Sequence, residues 1–268
     1  MALSVAALLP HSPLLIPAIG RANYDFLKKT ADAYSLIGSA LKGAGVETIV
    51  IISPHASAAA TDSFVLNIAP EMEISLKDFG FIPPRTVLAG DTILADKIQS
   101  ALRPDFSLPL VSESNLDSGS AIPLYLLREY VPNAKVVVIA AAAGLPLTDQ
   151  KLFGAALGKV IAASEKRIAV IASGDLSHRL KKKSPGGYSP KGAKFDNKII
   201  ELLTAPETAT DSILKLDPKF VADAGECGLK PLLVLLGVLA EKKWQAEILA
   251  YQTDFGIGYL SVNFAYER

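Results

Sequence analysis

Cysteine is nearly absent: Cys227 is the single one in 268 residues. One thiol forms no internal disulfide and builds no thiolate-rich zinc cluster, which fits a reducing cytoplasm and leaves nitrogen and oxygen donors as the first choice for any metal. Net charge is absent as well, with 27 Lys and Arg against 27 Asp and Glu. No overall field then draws the chain to nucleic acid or to an anionic membrane, and a small ligand is expected instead. Long apolar runs are also missing. The stretches from Val136 to Leu147 and from Pro231 to Ala240 fall short of the roughly 20 residues a membrane helix needs. The apolar start from Ala2 to Pro10 has no Lys or Arg before Arg21 and is interrupted by His11, Pro13 and Pro17, so it reads as a buried strand and not as a signal peptide. A soluble, cytoplasmic protein is the expectation.

What is present is core material. Half of the residues are hydrophobic and 20% are charged, enough apolar content for one sizeable α/β domain over residues 1–268. Short β-branched or apolar runs at Val5 to Leu9, Thr48 to Ile52, Lys135 to Ile139 and Arg167 to Ala172 predict buried strands. Between them, Tyr24 to Gly43, Asp91 to Leu102, Ser120 to Tyr130 and Thr148 to Ser164 have helical period. This alternation predicts a three-layer domain with a central mixed, largely parallel sheet flanked by helices. Ser63 to Ala69 and Met72 to Leu76 read as an antiparallel pair, and Gln245 to Gln252 with Tyr259 to Ala265 as strands closing the sheet. Pro and Gly cluster at Phe81 to Gly90 and Ser184 to Gly192, which predicts surface loops. The basic run Arg179, Lys181, Lys182 and Lys183 reads as a solvated loop.

The three histidines carry the functional signal. Each follows an apolar strand: His11 in AALLPHSP, His55 in IVIISPHAS and His178 in AVIASGDLSH. In an open parallel sheet the carboxyl ends of the strands line one crevice, so three such histidines can meet there although distant in sequence. Imidazole serves either as a metal ligand or as an acid/base near neutral pH. Glu226, in AGECGLKPLLVLLG, offers a carboxylate at the start of an apolar helix. Its plain role there is to complement the helix dipole; its functional role would be to complete a set of two imidazoles and one carboxylate, the facial triad of non-haem Fe(II) oxygenases. Asp175, three residues before His178, reads either as the group that orients it or as a turn aspartate bonded to its own backbone.

At these residues the chain resembles the class III extradiol ring-cleavage dioxygenases, typified by the catalytic subunit of protocatechuate 4,5-dioxygenase, and the related Memo proteins. The resemblance rests on PHSPLLIP, the strand-end SPH, SGDLSHRL followed by GGYSPKGAKFD, and AGECGLKPLL. It implies a single α/β domain, an Fe(II) ion or another divalent metal on His11, His55 and Glu226, and His178 as an unligated acid/base with Asp175 beside it. The implied reaction opens a catechol or aminophenol ring outside the diol with O2. Further copies of the chain, and in some relatives a small partner subunit, are the implied protein partners.

Two positions depart from the ring-cleaving pattern. Ser118 stands where many members carry a histidine next to the substrate, and Cys227 matches the cysteine that Memo proteins place in this pocket. Both are substrate-side candidates, and Glu226 and Cys227 cannot easily both point inward. A Memo-like protein that binds metal without cleaving catechols is therefore one alternative. A hydrolase using Ser173 or Ser177 with His178 and Asp175, or a metal-bound water, is another, although the chain has no GxSxG nucleophile elbow.

Overall fold

The computed structural model describes residues 2–56, 61–82 and 84–267. Its strands are β1 (Leu3–Leu9), β2 (Thr48–Ser53), β3 (Val65–Asn67), β4 (Glu71–Glu73), β5 (Val87–Ala89), β6 (Leu110–Val111), β7 (Lys135–Ala140), β8 (Ile168–Ser173), β9 (Trp244–Gln252) and β10 (Tyr259–Tyr266). The helices are α1 (Pro17–Gly20), α2 (Lys28–Gly43), α3 (Thr92–Leu102), α4 (Ser118–Leu127), α5 (Leu147–Ala162), α6 (Gly192–Leu203), α7 (Pro206–Leu214), α8 (Pro218–Ala224) and α9 (Leu229–Val238).

Among the described residues, eight strands form one sheet in the order β6-β3-β7-β2-β8-β1-β10-β9. The central β7, β2, β8 and β1 are mutually parallel, while β10 runs antiparallel to β1 and β9 antiparallel to β10. Both faces of the centre are covered, which is why TIVIIS in β2 and IAVIAS in β8 are buried at every position instead of alternating. Ala6, Leu8, Val50, Ile52, Val137 and Val170 pack under α3 and α5 to α9. The alternate residues Ala7, Leu9, Ile49, Ile51 and Val138 pack under α2 and α4. The mixed, largely parallel sheet and its closure by the last two strands follow the sequence pattern.

Two local expectations are corrected. Ser63 to Ala69 and Met72 to Leu76 do not pair with each other: β3 joins the main sheet beside β7, and β4 pairs with β5 in a separate two-stranded sheet. Asn67 explains the parting, because its side-chain oxygen accepts from the N–H groups of Ala69 and Glu113 and its amide donates to Glu113 O, turning the chain away at the end of β3. The Phe81 to Gly90 segment, of which Pro83 lies outside the described residues, contains strand β5, whose three residues are too few to show a period.

Apart from the half-buried Lys230 in its first turn, helix α9 is apolar all round and buried accordingly. It lies backbone to backbone on α5, because a Cβ at Gly154 would fall 2.0 Å from Val234 O and one at Gly237 would fall 2.3 Å from Lys151 O. That contact seats the middle and far end of α9 on α5, while its start, with residues 225–228, sits at the carboxyl end of the sheet, where Gly228 touches Gly174.

Candidate metal centre

The ends of β1, β2 and β8 lie side by side, Leu9 opposite Ser173 and Ile52 opposite Ala172. The chain leaves β1 into His11, β2 into His55 and β8 into Asp175 and His178. His11 is buried and His55 exposed, their rings meeting edge to face with centroids 5.2 Å apart. His11 Nδ1 lies 3.0 Å from Ser173 Oγ, and that hydroxyl donates its proton to Gly119 O at 2.5 Å. The serine oxygen must therefore accept from His11, so Nδ1 carries the proton and Nε2 presents a lone pair. The same logic holds for His178, whose Nδ1 lies 2.9 Å from the carbonyl of Gly225, a pure acceptor. Its Nε2 is likewise the open nitrogen.

A second loop, residues 225–228, closes the site from the α9 side. Gly174 and Gly228 touch, a Cβ at Gly174 falling 2.2 Å from Gly228 Cα. Only because both lack side chains can Asp175 O accept the N–H groups of Cys227 and Gly228 at 3.2 and 2.9 Å, while Asp175 N–H points at Cys227 Sγ, 3.3 Å away. Cys227 Sγ comes 3.8 Å from His11 Nε2. Asp175 Oδ1 accepts the main-chain N–H of His11 at 3.2 Å, and Oδ2 faces His11 Nε2 at 3.9 Å and His178 Nε2 at 3.7 Å.

The sequence-predicted ligands thus separate. His11 and His55 come together, and the third donor within 4.8 Å of both is Cys227. The Glu226 carboxylate is turned the other way, accepting the N–H of Leu229 at 2.6 Å in the first turn of α9. The predicted pair Asp175 and His178 is adjacent. Ser118 opens α4, directly after Asp117, whose carboxylate accepts from Ser120 N–H and from Ser53. The sequence pattern marks Ser173 only as a candidate nucleophile and does not mark the contact of Gly174 with Gly228. The place of Ser173 at a strand end, like that of the histidines, was the available signal.

Burial lowers His11 to a pKa of about 4, against the opposing charge of Asp117. Burial and the neighbouring His11 ring also lower His55. Both imidazoles are then neutral near pH 7, the state that ligates a metal. Burial raises Glu226 to about 7, opposed by the Leu229 N–H, and it raises Asp175 and Cys227, opposed at Asp175 by His178 and reinforced at Cys227 by Asp175. Two imidazole lone pairs facing one carboxylate oxygen, with a sulfur beside them, repel one another unless a cation or protons lie among them. The donor set therefore fits a metal ion.

This fold, with a candidate metal cluster at the carboxyl edge of its sheet, is that of the ring-opening dioxygenases and their Memo-like relatives. The chain belongs to the family described as the catalytic LigB subunit of aromatic ring-opening dioxygenase, whose model matches residues 5–261. It is 34% identical over 272 aligned positions to protein CA_C1420 of Clostridium acetobutylicum, a match covering 97% of this chain and 57% of that protein, so the chain spans little more than half the length of that curated relative. The crystal structure of the uncharacterized protein JW3007 from Escherichia coli K12 shares the fold, with a TM-score of 0.67 at 18% identity over 97% of this chain and 99% of that one. Among the described residues no helix is long and apolar enough to cross a membrane.

Proposed function

We propose that the protein is a Memo-like metal-binding member of this family, holding a transition-metal ion through His11, His55 and Cys227. The observation that carries this reading is that Cys227 Sγ lies 3.8 Å from His11 Nε2 while the Glu226 carboxylate is bonded to the Leu229 N–H. Two imidazoles and a thiolate form a softer donor set than two imidazoles and a carboxylate, and it suits zinc, copper or iron. When bound, such an ion supplies Lewis-acid or electron-transfer chemistry. Ser173 orients His11, Asp175 braces the main chain at His11 and Cys227, and the exposed flank of His55 leaves an approach for a small ligand. A reducing, cytoplasmic setting that keeps Cys227 as a thiol belongs to the same proposal.

Anaerobic purification with metal analysis of variants tests it. Cys227→Ala is expected to lose at least about tenfold in affinity and Glu226→Ala to stay near wild type, with circular dichroism unchanged in both. Metal loss in Glu226→Ala with full retention in Cys227→Ala would overturn the assignment.

The family description favours a second reading, an extradiol dioxygenase that opens a catechol or aminophenol with O2 on Fe(II). In that reading His178 handles the substrate proton, Asp175 orients it and Glu226 is the third ligand. Oxygen uptake by the iron-loaded protein against a panel of catechols and aminophenols separates the two: uptake with ring-opened product favours this second reading, and none the first. A serine hydrolase finds little support, since the Ser173 hydroxyl is committed to Gly119 O and that of Ser177 to Ala224 O at 2.7 Å.

A further inference from the structure

The donors around Cys227 are more numerous than one ion requires. His11, His55 and Cys227 place one donor atom each within 4.8 Å of one another, and so, separately, do Asp175, His178 and Cys227. Tetrahedral ligands about 2.0–2.3 Å from an ion stand roughly 3.3–3.8 Å apart, close to the 3.7 Å between His178 Nε2 and Asp175 Oδ2. We propose that Asp175, His178 and Cys227 form a second site for a thiophilic transition-metal ion, with the Cys227 sulfur bridging it to the ion on His11 and His55. This rests on the assignment of Cys227 to the first site.

The second set is already built. His178 Nδ1 is committed to Gly225 O, which leaves Nε2, 3.7 Å from Asp175 Oδ2, as the nitrogen free to ligate. Asp175 Oδ1 is the oxygen that takes the His11 N–H, which leaves Oδ2 as the one facing both imidazoles. The turn that carries both residues is pinned from three directions. Leu176 N–H donates to Gly258 O, Ser177 N–H to Asp196 Oδ1, and His178 N–H to Gly225 O. Binding there demands little further ordering, so more of the coordination energy appears as affinity. A thiolate has lone pairs enough for two ions, and shared-ligand pairs of ions about 3.5–4 Å apart clamp a ligand that offers two oxygens. The His178 side chain keeps 25% of its surface exposed, so the second ion would face solvent and could take an outside ligand.

Titration of the full chain with Cd(II), read by native mass spectrometry and by cadmium–thiolate absorption, tests the proposal. The expected result is two ions per wild-type chain, and one in both His178→Ala and Asp175→Asn, the ion retained in each being that on His11 and His55. Asp175→Asn preserves volume and His178 is partly exposed, so circular dichroism should show both variants folded. Thiolate absorption should rise in two steps for wild type and in one for each variant. One ion per wild-type chain, held equally by both variants, would overturn the second site and leave the first standing. One ion per wild-type chain that is lost in His178→Ala would overturn it too, making His178 a ligand of a single centre. No ion in the wild-type chain would refute the first site together with the second.

Discussion

His11 owes the lone pair it presents to Asp175 and Cys227 to a serine 162 residues away in the chain. Because the Ser173 hydroxyl gives its proton to Gly119 O, it can only accept from His11, and that fixes the tautomer. Ser173→Ala is expected to leave the fold intact and to weaken metal binding by about 10–100-fold, the usual cost of removing a residue that orients a ligating histidine. Chelator competition measures this, and an unchanged affinity would show that the imidazole needs no such anchor. The histidines were legible in the sequence because each follows a strand run, and strand ends in a parallel sheet share an edge. Which of Glu226 and Cys227 turns its side chain toward His11 was not legible. Consecutive residues in a turn point in different directions, and here Gly225, at φ 61°, sends residue 226 to the start of α9 and residue 227 toward His11. Apolar pattern carries no information about a backbone angle.

At the level of elements, the site depends on two loops being able to touch. A methyl group at Gly174 would lie 2.2 Å from Gly228 Cα, too close to be absorbed by a side chain moving aside. Gly174→Ala is therefore expected to push residues 225–228 off the end of β8, costing about 1–3 kcal/mol as overpacking does. It should also weaken metal binding, since Cys227 moves with its loop. Urea denaturation and metal titration on the same variant check both effects; stability and affinity at wild-type values would show that the loops separate freely. The parallel strands behind this contact were readable because burial on both faces demands unbroken apolar runs. The pairing of β3 and β4 was not, nor the presence of β5, since each has three residues and their partners are chosen by the side chain of Asn67 and by neighbours distant in sequence.

Across the whole molecule, the opposite end of the sheet holds a different kind of polar cluster. Asp91 accepts from Lys166 Nζ and Thr48 Oγ1, both at 2.6 Å, and from Leu94 N–H at the start of α3. Burial pushes its carboxyl up, but the bonds from Lys166, Thr48 and Leu94 together outweigh burial and hold it below the ordinary carboxylate value. The unfolded chain, with a value of about 3.9, then takes up the proton first as pH falls. The stabilisation is complete well above that value and disappears as pH drops through the lower folded one. Asp91→Asn should lower stability at neutral pH and flatten the acid limb of a urea-midpoint profile taken from about pH 3 to pH 7. Identical slopes for variant and wild type would remove Asp91 as the source.

The pairing of His11 with Cys227 joins positions 216 residues apart, and β1 reaches its parallel neighbour β8 only after most of the chain has been made. A chain emerging from the ribosome presents its first histidine early and its thiol late. No partial product holds the donor set, and the slow, non-local closure of the sheet precedes any coordination. If the proposed site holds its ion, metal loading would follow folding, because only the folded chain brings these donors together.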